Sequence, residues 1–250
     1  MKIIYDLGAN NGDNLPYYFL KSDKVVAVEA NIILCDQIKK KYEKEIKEGK
    51  LEVLNFVLSN KKNKDETSFY IHKNEHVWSQ ALTPKIEKIN EFEEVSVKNK
   101  YIIDLIQENG NPYYIKSDLE LIDETIIREL FKNNIFPNYI SAEAHNIEIF
   151  CLMNGLGNYN SFKIVEGYNV DKKYKLAKIK TEKEIVDYSF PYNSAGPFGN
   201  DIIGPWMNTN NCFKTLGFLG TGWIDIHCSK IDQPDNNYLP EREVKIKVKI

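Results

Sequence analysis

The segment Ile3-Ile4-Tyr5-Asp6-Leu7-Gly8-Ala9-Asn10-Asn11-Gly12-Asp13 limits what this chain can fold into. Ile3 to Leu7 is a short apolar run rich in β-branched residues, the composition of a strand buried on both faces of a parallel sheet. Gly8 to Gly12 follows as a turn of residues that tolerate positive φ. Pro16 and the run Tyr17-Tyr18-Phe19-Leu20 then supply the body of a helix near residues 14–21. Strand, glycine turn and helix, in that order, are how an open α/β sheet builds a cofactor site. The turn lets the backbone approach a ligand, and the helix N-terminus presents free N–H groups.

The turn also constrains the cofactor. A dinucleotide fingerprint needs glycine at the first, third and sixth positions of G-x-G-x-x-G. Those positions hold Gly8, Asn10 and Asp13, so only the first matches, and Asp13 would repel a pyrophosphate. No Gly-Lys-Ser or Gly-Lys-Thr phosphate loop follows. Asp6 and Asp13 suit a cofactor with cationic groups, and S-adenosylmethionine carries an ammonium and a sulfonium. Val25-Val26-Ala27-Val28-Glu29 reads as a second strand. Glu29 falls about 20 residues after the turn, where a carboxylate takes both ribose hydroxyls.

The pattern D-L-G-A-N-x-G-D followed by V-x-A-V-E-A-N resembles the FkbM-type methyltransferases, a branch of the class I S-adenosylmethionine-dependent enzymes. Two later stretches extend the resemblance. Tyr114-Ile115-Lys116-Ser117-Asp118-Leu119-Glu120 is similar to a K-x-D-x-E-G strand end, with Leu121 where that family usually has glycine. Ser194 to Asp201, followed by Gly204-Pro205-Trp206, is similar to an S-x-G-P-F-G-x-D…G-P-W segment. The likeness runs from residue 3 to about residue 228. It implies a Rossmann-like, doubly wound α/β fold with a mostly parallel seven-stranded sheet and two loop insertions. It also implies S-adenosylmethionine as cofactor, held by Asp6, Gly8, Asn10, Asn11, Gly12, Asp13, Glu29, Ala30, Asn31 and Asp118. Val57 and Leu58 join these cofactor residues, and Ser59 and Asn60 lie just past their strand's carboxyl end, where an adenine ring is held.

With 250 residues, the chain is expected to be a single methyltransferase domain, its cofactor-binding half about residues 1–120. Hydrophobic residues at 42% and charged residues at 28% describe a globular protein. A formal net charge of −3 gives no basic field to gather nucleic acid. No apolar run approaches the ~20 residues of a membrane span. The first strand starts at the N-terminus and carries the turn, so no signal peptide is expected there. Cys35, Cys151, Cys212 and Cys228 show no C-x-x-C spacing, which fits a reducing cytoplasm.

Further along, Asn31 is placed to cap one long helix over Ile32 to Glu48, and Leu51 to Leu58 reads as a third strand. Residues 60–94 form a long insert: a charged loop over Lys61 to Thr67, a short strand at Ser68 to His72, the cluster His76 to Gln80, and a charged surface at Lys85 to Glu94. A strand at 95–97 follows. A helix is expected over Ile102 to Asn109, strand four over Tyr113 to Ser117, and a helix from Asp123 to Lys132. Strand five covers Tyr139 to Glu143, a helix 146–154, a strand Phe162 to Val165, and a last strand Trp223 to His227. A second insert, 187–212, is rich in Gly, Pro and Asn. The alternating tail Val244 to Ile250 reads as a lysine-guarded edge strand.

Transfer of a methyl group from sulfur to an alcohol needs the hydroxyl proton removed, and an alcohol has a pKa of roughly 16, near that of water. Asp118 and Glu120 follow strand four, and Glu143 and His145 follow strand five. In an open parallel sheet these positions face the crevice at the strand carboxyl ends. The four are the candidate catalytic residues, with His145 as base. His76 and His227 are weaker candidates for that role. The same groups could instead hold a divalent metal through oxygen ligands. Trp78, Ser79, Phe198 and Trp206, in the two inserts, are candidate acceptor contacts, with aromatic faces suited to sugar C–H surfaces.

The expected activity is therefore an S-adenosylmethionine-dependent O-methyltransferase. The resemblance points to a hydroxyl of a carbohydrate or glycan-attached group, a glycan precursor in surface polysaccharide (capsule) biosynthesis. The alternatives are a small-molecule acceptor of the natural-product type, a NAD-dependent oxidoreductase, and an inactive cofactor-binding module. An RNA 2′-O-methyltransferase would need a basic face. Oligomeric state is not readable from the sequence.

Overall fold

The computed structural model describes residues 1–62 and 66–238. Its strands are β1 (Ile3–Leu7), β2 (Lys24–Val28), β3 (Leu51–Leu54), β4 (Val57–Ser59), β5 (Glu66–His72), β6 (Phe92–Tyr101), β7 (Pro112–Ser117), β8 (Tyr139–Glu143), β9 (Ser161–Glu166), β10 (Ala177–Lys180), β11 (Ile185–Tyr188) and β12 (Ile224–Ser229). The helices are α1 (Leu15–Lys21), α2 (Ile32–Lys41), α3 (Glu43–Lys47), α4 (Ile102–Asn109), α5 (Asp123–Lys132), α6 (Glu148–Asn154), α7 (Val170–Lys173) and α8 (Thr209–Leu219).

A seven-stranded sheet in the order β3-β2-β1-β7-β8-β12-β9 forms the body. Its pairs are parallel except at β12, which runs antiparallel to both β8 and β9. Because side chains alternate across a strand, β1 sends Ile4 to one face and Ile3, Tyr5 and Leu7 to the other. The first face packs on Tyr17 and Tyr18 of α1, Ile38 of α2 and the segment around Phe190, Phe198 and Trp206. The second packs on residues of α4, α5, α6 and α8. The sheet is therefore doubly wound. The chain leaves β1 toward β2 and β3, then returns to place β7 on the other side of β1. That reversal opens a crevice at the carboxyl ends of β1 and β7.

Three expectations about elements need correction. The helix expected over 32–48 breaks at Tyr42, whose backbone leaves the helical region at φ −117° and ψ 32°. Tyr42 is buried, and its hydroxyl donates to the Gly12 carbonyl at 3.1 Å, so packing against the glycine turn overrides helix continuity. The strand expected over 51–58 is two strands. Asn55 turns the chain between them by donating from Nδ2 to the Glu29 and Ala30 carbonyls, both at 2.8 Å. The first insert is not a loop: β5 and β6 form an antiparallel hairpin, and β4 joins it in a three-stranded sheet of order β4-β6-β5.

The second insert is largely irregular, though it ends in the first turn of α8. The β10–β11 hairpin and α8 were not expected from the sequence. The alternating tail 244–250 lies outside the described residues. No helix among the described residues is long and apolar enough to cross a membrane.

Candidate functional site

At the switch point, the turn after β1 crosses the end of β7 at close range. Gly8 has φ +82°, and a Cβ placed there would lie 1.9 Å from the Asp118 carbonyl oxygen. Only glycine allows both the backbone conformation and the approach. Gly8 and Ala9 each donate their N–H to the Val28 carbonyl at 3.0 Å, and Asp118 N–H donates to Leu7 at the same distance. The ends of β1, β2 and β7 are thereby tied together.

A cavity of about 440 Å³ opens there, within the range of small-molecule sites. Of the expected cofactor residues, Gly8, Asn10, Asn11, Asp13, Glu29, Ala30, Val57, Leu58 and Asp118 line it. Glu29 is buried, and its two carboxylate oxygens accept the N–H groups of Asn10 and Asn31, both at 2.8 Å. Burial is the main influence on its pKa and raises it to about 7 against those two bonds. Lone pairs on both oxygens remain for a ligand. The Oδ1 of Asn10 is buried at the cavity wall and has no partner among the described residues.

Three expected cofactor residues lie behind the wall rather than on it. Asp6 is fully buried, with neither carboxylate oxygen hydrogen-bonded among the described residues. Its nearest cation is Lys116, whose Nζ is 3.6 Å away. Gly12 faces Leu15, Ile38 and Tyr42. Asn31 caps α2, its side chain accepting from Ile33 N–H at 3.0 Å. All three support the turn and the strand ends without contacting the space a ligand would fill.

Lys116 was not singled out as a site residue by its sequence position. It is buried on β7, donates to the Gly8 carbonyl at 2.8 Å and pairs with Asp118 at 3.1 Å. Burial alone would lower its pKa, but Asp118 and Asp6 outweigh it and hold the ammonium charged. Its signals were the lysine of the K-x-D-x-E-G likeness and a charge inside the strand Pro112–Ser117.

One part of the cavity wall is acidic. Carboxylate oxygens of Asp118, Glu120 and Glu143 lie within 4.8 Å of one another. Burial first, then Asp118, raises Glu120 to about 8; burial, then Asp118 and Asp225, raises Glu143 to about 9. Such a cluster resolves its repulsion by holding protons or by holding a cation. Either fits these residues, and a divalent ion would find oxygen ligands of the kind it prefers.

His145 stands behind this cluster. Its Nε2 is 3.5 Å from Glu143 Oε2 and 3.9 Å from Glu120 Oε2, yet the residue does not line the cavity. The residue expected as base thus stands behind Glu143 and Glu120, which line the cavity. His227 is sealed in the sheet, in register with Ser141 and Lys163, and burial drives its pKa down to about 3. His76 does reach the cavity.

The acceptor-side expectations divide. Trp78 and Ser79 line the cavity. Phe198 and Trp206 do not: they are 2% and 6% exposed, on the sheet face carrying Tyr114 and Tyr139. Phe198 stacks on Tyr114 with ring centroids 4.0 Å apart. A ring enclosed in this way cannot stack on a ligand, and both residues leave the acceptor list. From the second insert, Asn193 and Ala195 reach the cavity instead. Asn14 fixes this segment by accepting from Ser194 Oγ and Ala195 N–H, both at 2.9 Å. Trp223, which the sequence offered only as the start of a strand, also lines the acidic end. Its indole lies so close to Gly167 that a Cβ there would meet it at 2.2 Å, and Tyr192 meets it edge-on at 5.5 Å.

No protein-family model matches the sequence, and none of the curated proteins matches it significantly. Among solved structures, the chain is similar to the methyltransferase FkbM from Methylobacillus flagellatus KT, at 12% identity and a TM-score of 0.44. That match covers 65% of this chain and 39% of the other. It is also similar to a protein described as an RNA methyltransferase from Pyrococcus horikoshii, at 11% identity and a TM-score of 0.35, covering 92% of this chain and 76% of that one. At these values neither likeness carries an argument about function.

Proposed function

We propose that the chain is an S-adenosylmethionine-dependent methyltransferase acting on a hydroxyl group, on a carbohydrate or a group attached to one, in surface-polysaccharide assembly. The observation that carries the methyltransferase reading is one cavity at the β1–β7 switch point. It joins the glycine turn and Glu29 to the carboxylates Asp118, Glu120 and Glu143. The carbohydrate and its setting rest on the resemblance of the sequence motifs alone.

The residues fit the cofactor. The turn lets the backbone come close, Glu29 keeps lone pairs for ribose hydroxyls, and the unpartnered Asn10 Oδ1 offers an acceptor for a donor group. The acidic end suits an ammonium and a sulfonium. When bound, the cofactor supplies an electrophilic methyl group. Glu143 would accept the proton that the acceptor hydroxyl gives up on receiving the methyl group. Its raised pKa makes it a stronger base than an ordinary carboxylate once ionised. His145 lies behind them, its Nε2 3.5 Å from Glu143 Oε2 and without a hydrogen-bond partner among the described residues. Glu143→Gln is expected to slow turnover by roughly 100- to 10,000-fold.

The proximity of the three carboxylates favours one variant of this reading, in which a divalent cation helps to lower the hydroxyl pKa. Collapse of turnover in chelator, restored by magnesium or manganese, would select it. The cofactor reading is tested by thermal melting. S-adenosylhomocysteine at 100-fold above its dissociation constant stabilises the folded state by about 2.7 kcal/mol. Stabilisation by NAD with none by S-adenosylhomocysteine would replace the proposal with an oxidoreductase.

A further inference from the structure

Strand order sets Trp223 apart from the cofactor residues. Glu29 follows β2 and Gly8 follows β1, whereas Trp223 comes just before β12, beyond β7 and β8. Because β12 runs antiparallel to β8, its start lies level with the carboxyl ends of the parallel strands. Three strand steps from β1 and four from β2, at about 4.8 Å each, put the start of β12 roughly 14 Å from β1 and roughly 19 Å from β2. Strand pairing instead brings it to Glu143, whose register partner is Asp225. Trp223 lies two residues before Asp225, about 7 Å along the strand, and alternation puts the two side chains on one face. The pairing continues past the strand: Gly222 N–H donates to the Ala144 carbonyl and Gly167 N–H to the Trp223 carbonyl, both at 3.0 Å. Gly167 leaves the space the indole takes, since a Cβ there would lie 2.2 Å from its Nε1. Tyr192 steadies the ring edge-on, and the bond from Ser194 N–H to the Pro191 carbonyl, at 3.1 Å, spans Tyr192 and Asn193. Held in this way, Trp223 is still 44% exposed and lines the cavity with Asn193 and Glu143.

We propose that Trp223 is the acceptor platform of the site: its indole carries the C–H face of a neutral pyranose ring, and Gly167 is the positioning residue that seats it. The inference rests on the carbohydrate methyltransferase reading and deepens it. Glu143 is placed to accept the proton that the ring hydroxyl gives up on receiving the methyl group. A flat π face attracts the polarised C–H groups of a sugar, while Asn193 can both donate to and accept from its hydroxyls. A ring that carries its own carboxylate, as a uronic acid does, is repelled by Asp118, Glu120 and Glu143.

Fluorine NMR of protein labelled with 5-fluorotryptophan tests this. The chain has three tryptophans, and Trp223→Phe identifies the resonance. With S-adenosylhomocysteine bound, the methyl α-glycosides of glucose, galactose and mannose are the probes. At least one is expected to move the Trp223 resonance, and its uronate is expected to bind more weakly. Trp223→Ala, and Gly167→Ala through the displaced indole, are each expected to weaken that glycoside roughly tenfold by saturation-transfer NMR. Neither should change S-adenosylhomocysteine affinity by more than about twofold, since the cofactor residues are distant. A glycoside that binds without moving the Trp223 resonance, and equally well to both variants, would overturn the platform and leave the carbohydrate reading standing. Uronates binding as tightly as the neutral sugars would overturn the acceptor class. An equal loss of S-adenosylhomocysteine affinity in Trp223→Ala would overturn the assignment by moving the residue to the cofactor half. Binding of none of the three glycosides would remove the carbohydrate reading and this inference with it. If the wild type binds no S-adenosylhomocysteine, the methyltransferase proposal itself fails, a result separate from all of these.

Discussion

Single positions show how tightly the switch point is specified. Gly8 cannot be replaced without moving backbone, since a Cβ would sit 1.9 Å from the Asp118 carbonyl oxygen. Gly8→Ala should cost more than ~3 kcal/mol in denaturant unfolding or prevent folding, because it combines a positive φ with a clash. Leu121 is the converse case. It stands where the resembled motif has glycine, and it holds φ +72°, directly after Glu120 at +45°. Its side chain is half exposed. Relief of left-handed strain and the entropy cost of glycine nearly offset, so Leu121→Gly should leave stability unchanged or raise it by up to ~1 kcal/mol. A loss greater than that in the same unfolding experiment would mean the leucine side chain makes a contact that matters. Glu29 and the glycine turn were legible because their function demands a fixed spacing along the chain. Lys116 and Trp223 were not, because their neighbours are brought to them by strand pairing.

At the scale of elements, the strands and helices of the main sheet could be read from period and punctuation, since each buries a regular apolar face. The failures share one cause: tertiary contacts that no local pattern records. Tyr42 interrupts a helix to reach Gly12, and Asn55 splits a strand to reach Glu29 and Ala30. Charged residues in 60–94 suggested a solvated loop, yet Glu66, Glu93 and Glu94 lie on the β5–β6 ladder, whose Phe69 and Val97 pack with Val57. The two aromatic-bearing inserts looked alike in sequence and behave differently. Trp78 remains open to the cavity, whereas Phe198 fills the core between α1 and the sheet. Phe198→Ala should therefore destabilise by ~3–5 kcal/mol in chemical denaturation, as expected for an emptied aromatic core position. If Phe198→Ala instead left stability intact and impaired ligand binding, the core assignment would be wrong.

For the molecule as a whole, the acidic cavity links ligand binding to pH. Glu29 and Asp225 are raised to about 7, Glu120 to about 8 and Glu143 to about 9, in each case chiefly by burial. A carboxyl whose folded pKa exceeds its unfolded value holds its proton more firmly when folded. Its contribution is fully present below the unfolded pKa and is lost as pH rises through the folded one. The ligand-free protein should therefore melt at progressively lower temperature as pH rises from about 5 to about 9, and Glu143→Gln should flatten the upper part of that slope. A melting temperature that climbs over the same window would contradict this electrostatic account. A cationic ligand should stabilise most at the alkaline end, where the cluster is ionised. The central claim is that one cavity holds S-adenosylmethionine between the glycine turn and the carboxylates. A crystal structure with S-adenosylhomocysteine tests it most directly. The account predicts the ribose on Glu29, the adenine near Val57 and Leu58, and the sulfur turned toward Asp118, Glu120 and Glu143. An empty cavity at saturating ligand, or the ligand bound elsewhere on the protein, would contradict it.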